Sequence, residues 1–548
     1  MEIMNLLIIA LLISGLITYL FYLLRKKPNT VKKDRDSENA RLYSIPVLVE
    51  YTKVKINEFV TTSLIDLGLS GEEYERRLAI VTELRNAMKN AISGDLQEKI
   101  YLKQYIYDLL ERNYGINESN INWIIPFDQA ERLTEQDQFD ILMQHFKKEH
   151  GYKALSHMIE KYKLAKPKYV IEDGQTESYI ITGEEIRMIY KKEIRTLDFK
   201  DKLNVVVQRV YQQYKGFGVL DEIRDMSIDG VSGGVSGAPS KMKSVEHEVE
   251  FVGNMRNTKK GINSVWIFYK GKSIHMSFLS FENDLELKRV CQNIYKYNNP
   301  GPLTESTGYI VNDMKDGSRV VVVRPPFAET WAFWVRKFDL PNMDLEYLIP
   351  DKYDNAILAR KMLRFLMQGA QTSAFTGKQG SGKTSSMMAS MKFMYATLNL
   401  RIVELIFELN LRQLYSFRNI MTFRELKDIP IQEALNLTKK TDGDVNILGE
   451  VASQEVASLM IQMTQAASLF TLFSHHASTT NDLIKWHRDA LLQTGAFNNE
   501  RIAEETVAKA IKWDIHYERD EAGNRYIERI TEITLVQYDN SFFDNEDD

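Results

Sequence analysis

The sequence predicts an α/β fold: a C-terminal domain over residues 346–536 built around a phosphate loop, preceded by an α+β domain, a helical domain and one membrane-spanning helix. Three observations predict it. The stretch "AFTGKQGSGKTSSMM" has the spacing G-x-x-x-x-G-K-[ST] from Gly377 to Thr384. Around it, helical periodicity alternates with short apolar runs, the texture of a layered α/β domain. At the other end of the chain, Leu6 to Leu24 carries no charge.

Composition bounds the possibilities. A chain of 548 residues is too long for one core, and 44% hydrophobic with 26% charged residues describes ordinary globular domains. A net charge of -5 gives no general attraction to polyanions, so direct nucleic-acid binding is not expected. The single cysteine, Cys291, excludes an intramolecular disulfide and a Cys-rich metal site, and fits a small buried apolar residue.

The elements follow in order. Residues 1–27 read as a membrane anchor: Leu6–Leu24 is long enough to cross most of a bilayer, and Arg25, Lys26 and Lys27 follow it, which keeps the flank cytoplasmic. The expected placement is therefore the cytoplasmic membrane, single-pass, with the bulk of the chain cytoplasmic. Residues 28–45 are a polar tether. From 46 to 165 the chain reads as helical, with a capping-box pattern at Ser70 and Glu73 and a break at "SGD", 93–95. Residues 170–345 form the α+β domain. In it "DGVSGGVSGAP" reads as a Gly/Ser loop, "NSVWIFYKGKSIHMSFLSF" as a hairpin around Gly271, and "DGSRVVVVRPP" and "WAFWVRKF" as strands. The 346–536 domain ends in a hairpin turning at Ala522–Asn524, and 537–548 is an acidic tail.

The chemistry concentrates at the loop. Gly377, Gln379, Gly380, Ser381 and Gly382 shape a backbone ring for phosphate. Lys383 reaches the β/γ-phosphates, Thr384 can hold Mg²⁺, and Ser385 follows in the helix whose N-terminus faces the anion. Hydrolysis also needs a carboxylate and cations. "VNILGE" is a strand ending in Glu450, with Glu455 five residues on, and "SLFTLFSHHA" is a strand with His475 and His476 at its tip. Arg319 and Arg336 lie on neighbouring strands of the preceding domain.

The series "DGSRV…PP…WVRKF…TGKQGSGKT…ILGEVASQE…HHA", over about residues 200–536, resembles the secretion-ATPase superfamily of type II and type IV secretion, conjugation and pilus-assembly motors, closest to the conjugation and Tad-pilus branch. The resemblance implies a RecA-like ATPase domain, ATP and Mg²⁺, and a hexameric homo-oligomer acting on platform proteins at the membrane. On matching positions it implies Thr384 and Glu450 at the metal, Glu450 as the Walker B acid and Glu455 as its companion. It implies His476 as the γ-phosphate sensor and Arg319 and Arg336 as arginines that reach the nucleotide. Glu404 and Glu408 of "ELIFEL" match the family's acidic box. Leu405 stands where that box has Asp, Ala452 where an Arg usually follows the acid, and "MTQAASLFT" lacks the first His of the His box. The leading expectation is a membrane-anchored secretion or pilus-assembly motor. The alternatives are a nucleotide-gated scaffold with little hydrolysis and a DNA-translocating coupling ATPase.

Overall fold

The computed structural model describes residues 41–535 apart from 63–69, 172–174, 195, 238–261, 263, 299, 338–343, 406, 427–428, 467 and 521–523. Packing divides the chain once, after Lys337.

In the N-terminal unit, helices Ile45–Thr61, Gly71–Asn90, Leu96–Asp108, Glu135–His150 and Ala154–Lys161 precede the sheet. Their starts follow local signals: Ser70 and Glu73 form the expected capping box, and Asp95 accepts from the backbone N–H groups of Gln97 and Glu98. Among the described residues, strands β1 (Lys168–Ile171) and β2 (Gln175–Ser178) pair only with each other. Strands β3 (Ile180–Ile181), β4 (Gly230–Gly233), β5 (Val265–Tyr269), β6 (Lys272–Met276), β7 (Tyr309–Asp313), β8 (Arg319–Val323) and β9 (Ala332–Arg336) make a sheet of order β3-β6-β5-β4-β9-β8-β7. One continuous core runs from Leu48 in the first helix to Val335 in β9. A buried ion cluster pins it, with Lys99 Nζ 2.5 Å from both Asp221 and Asp225. Cys291 is buried within it.

The first part of the Gly/Ser stretch is not a loop. Residues 230–233 are β4, the strand between β5 and β9. The glycines are there because the neighbours come too close for a side chain. A Cβ on Gly230 would lie 2.4 Å from the Val335 carbonyl oxygen, and one on Gly233 2.7 Å from the Phe333 ring.

The C-terminal unit contains β10 (Ser373–Gly377), β11 (Leu400–Glu404), β12 (Ile420–Arg424), β13 (Val445–Leu448), β14 (Phe470–His475), β15 (Trp513–Arg519) and β16 (Arg525–Glu532). The sheet order is β12-β11-β13-β14-β10-β15-β16, with every pair parallel except β15–β16. This is a RecA-like arrangement, in which β14 separates the phosphate-loop strand β10 from the acid-bearing β13. The inner strands are apolar throughout because both faces are covered. Phe375, Ile402, Ile447 and Leu472 pack into one layer, and Ala374, Val403, Leu448 and Phe473 into the other.

The expected membrane helix requires correction. Leu6–Leu24 lies outside the described residues, and among the described residues no helix is long and apolar enough to cross a membrane. The apolar helix Ile45–Thr61 has only 17 residues, and it turns Leu48, Ile56 and Val60 into the protein core. Helix Gly71–Asn90 is long enough but exposes charges along its length. The anchored architecture, the anchored motor and the single-pass placement are therefore set aside.

Candidate nucleotide site

Parallel strands point their carboxyl ends to one edge of the sheet, and ligands of open α/β sheets bind there. That edge of the C-terminal unit gathers the phosphate loop after β10, Glu404 at the end of β11, Glu450 just past β13 and His476 just past β14.

The loop has the conformation that its glycines permit. Gly377, Gly380 and Gly382 have φ of 134°, 78° and 97°. A Cβ on Gly377 would meet the Tyr517 carbonyl oxygen of β15 at 2.1 Å. Gly382 caps the helix Lys383–Ser390, whose first-turn N–H groups carry the helix's positive end. Ser381 is buried, and its Oγ has no hydrogen-bond partner among the described residues. An unsatisfied hydroxyl in a glycine-shaped ring at a helix N-terminus fits a phosphate. Thr384 is half-buried at the second helical position, Ser385 follows, and Gln379 is exposed.

Three side chains of the expected site converge. Lys383, 6% exposed, places Nζ 3.3 Å from the Lys378 carbonyl and 3.2 Å from His476 Nδ1. The same Nδ1 is 3.0 Å from the Gly377 carbonyl oxygen, and His476 Nε2 is 3.2 Å from Glu450 Oε1. Nδ1 can donate to Gly377 or accept from Lys383, not both. The cation, the imidazole and the carboxylate thus form one chain across the mouth of the loop, with His476 as the hinge.

The other expected residues divide. Glu404 is 3% exposed, and its Oε1 accepts the backbone N–H groups of Glu408 and Leu409 at 2.9 and 2.8 Å. Glu404 therefore braces the loop that presents the half-buried Glu408. Leu405 is exposed beside it. Glu455 is exposed in the first turn of helix Gln454–Ala466. Its own backbone N–H and the Ser453 hydroxyl hold its carboxyl below the usual range. Arg319 and Arg336 belong to the N-terminal unit, where they are directly paired across β8 and β9.

Two residues near the loop escape sequence reasoning. Arg519 Nη1 comes within 3.6 Å of a Cβ built on Gly380, and the Arg525 stem within 3.2 Å of one on Gly382. Both belong to the terminal hairpin, and only the pairing of β15 with β10 brings them there. The signal was the hairpin itself, whose position in the sheet no local pattern gives.

No family model matches the chain, and no curated protein matches it. Among solved structures it is similar to the VirB11 ATPase of the Brucella suis type IV secretion system in complex with sulphate, at 17% identity over 50% of this chain and 88% of that one, with a TM-score of 0.29. It is similar to the Legionella pneumophila ATPase DotB, at 13% identity over 56% of this chain and 77% of that one, with a TM-score of 0.37. It is also similar to the pilus retraction motor PilT with bound ADP, at 14% identity over 50% and 78%, with a TM-score of 0.36. At these values the likenesses carry no argument about function, which rests on the site.

Proposed function

We propose that the chain is a P-loop ATPase of the kind that drives secretion or pilus assembly, working as a homo-oligomer against a partner platform at a membrane. The observation that carries the ATPase reading is the convergence of Lys383, His476 and Glu450 at the mouth of a glycine-shaped phosphate loop. In this reading the loop and Lys383 hold the phosphates of ATP. Thr384 and Glu450 are the residues that would hold Mg²⁺, which supplies charge neutralisation when bound. Glu450 orients water, Glu408 assists from the neighbouring strand end, and His476 reports the γ-phosphate to Glu450. The homo-oligomer is taken as a hexameric ring. One observation favours the second reading, a nucleotide-gated scaffold with slow turnover: Glu404 is occupied by two backbone N–H groups and has Leu405 beside it.

The test is ATP turnover by the full chain beside Lys383→Ala, with oligomer size read in the same samples. Turnover that disappears in the variant, in a nucleotide-stabilised oligomer, supports the ATPase motor. ATP binding and assembly with turnover equal to the variant's would replace it with the scaffold.

A further inference from the structure

We propose that His475 is a positioning residue that sets the place of Glu450 through a hydrogen bond from its Nδ1 to the Val451 carbonyl; the proposal rests on the ATPase reading. The turn after β13 that carries Glu450 is fastened to the end of β14 at three points. The Ser474 hydroxyl donates to the Gly449 carbonyl at 2.6 Å. The Val451 N–H donates to the Ser474 carbonyl at 2.9 Å. His475 Nδ1 lies 2.8 Å from the Val451 carbonyl oxygen. These bonds bracket Glu450, with Gly449 before it and Val451 after it.

The chemistry of the third bond is determined by its acceptor. A carbonyl oxygen only accepts, so Nδ1 carries the proton, and a neutral ring then leaves Nε2 bare. The surroundings keep the ring neutral. His475 is 5% exposed, its ring 4.3 Å from that of Trp486 and 5.0 Å from that of His487. Burial pushes its pKa down, and the neighbouring His476 and Lys383 push the same way against the Val451 carbonyl and Glu450.

The position has little other use for an imidazole. The strand leading to it is fully buried, with Phe470, Leu472 and Phe473 in the cores on its two faces. An aliphatic residue would fill such a tip without the cost of burying a polar ring. What the imidazole adds is a donor to the far side of the Glu450 turn. Its neighbour in sequence, His476, is the residue whose Nε2 stands 3.2 Å from the Glu450 carboxylate. His475 therefore ties the backbone after Glu450 to the backbone before His476, and so sets the geometry of the acting pair.

The experiment measures turnover and ATP affinity on the full chain for wild type, His475→Leu, His475→Asn and His475→Gln. An Asn side-chain N–H sits close to where Nδ1 sits, whereas that of Gln lies one bond further out. His475→Leu should lower kcat about ten- to a hundred-fold, the penalty of a slightly misplaced group, with ATP affinity unchanged. His475→Asn should recover most of that loss and His475→Gln little of it. In a Glu450→Gln background, His475→Leu should add no further loss. If the Asn–Gln contrast persists while the Leu variant is unstable, the donor remains identified. An active wild type whose turnover is insensitive to His475→Leu would overturn the proposal alone. So would equal losses in the Asn and Gln variants, or losses additive with Glu450→Gln. A wild type that binds ATP without hydrolysing it would overturn the ATPase reading, and this proposal with it.

Discussion

Replacing His487 by leucine should flatten the pH dependence of the C-terminal unit's stability. His487 is 0% exposed on helix Thr480–Gln493, and its Nδ1 bonds the Leu483 carbonyl at 2.9 Å. Its Nε2 is buried with no hydrogen-bond partner among the described residues. Burial first, and then the neighbouring His475, push its pKa down to about 3. In the unfolded chain the same ring titrates near 6.5, as a rough reference. Below that value the unfolded state takes up a proton that the folded state refuses, so stability falls as pH falls and continues to fall until the folded value is reached. Each pH unit in that window costs about 1.4 kcal/mol, so moving from about pH 7 to about pH 5 costs roughly 2 kcal/mol through this ring. Leucine fills the site beside Phe473 and Trp486 without a titrating group. Urea unfolding of both proteins at the two pH values, without nucleotide, measures the difference. Wild type should lose about 2 kcal/mol more than His487→Leu. Equal losses in the two proteins would refute the assignment of a neutral, buried imidazole.

Further substitutions test the packing and the bonds that Glu404 accepts. Gly230→Ala places a Cβ 2.4 Å from the Val335 carbonyl oxygen in the middle of a sheet, which should cost the N-terminal unit about 1–3 kcal/mol by overpacking. Gly71→Ala, with nothing within 4 Å of the new carbon, should be near-neutral in the same urea experiment. Glu404→Leu removes the acceptor of two backbone N–H groups, and should cost about 1–3 kcal/mol more than Glu404→Gln, which keeps a carbonyl there. Thermal melts of the two Glu404 variants that coincide would show that the brace contributes nothing.

Some of this protein was legible in its residues because the physics is local. A phosphate loop needs glycines where φ is positive, and Gly377, Gly380 and Gly382 stand at those positions. A helix start needs acceptors for its free N–H groups, which Ser70 and Glu73 announce. The hairpin between β5 and β6 needs positive φ at two residues, and Lys270 and Gly271 adopt it. Glu450 and His476 could be singled out because each follows a short apolar run in the α/β stretch that also holds the loop.

What depends on contacts between distant segments was not legible. Residues 230–233 of the Gly/Ser run are a central strand because Phe333 and Val335 approach them so closely, and a loop has the same composition. The motif that holds Glu404 gives no sign that its Oε1 accepts two backbone N–H groups from the loop after β11. The order of the strands decided the site itself. With β14 seated between β10 and β13, His476 just past β14 stands 3.2 Å from Glu450 just past β13, a distance that only the register of a folded sheet can set.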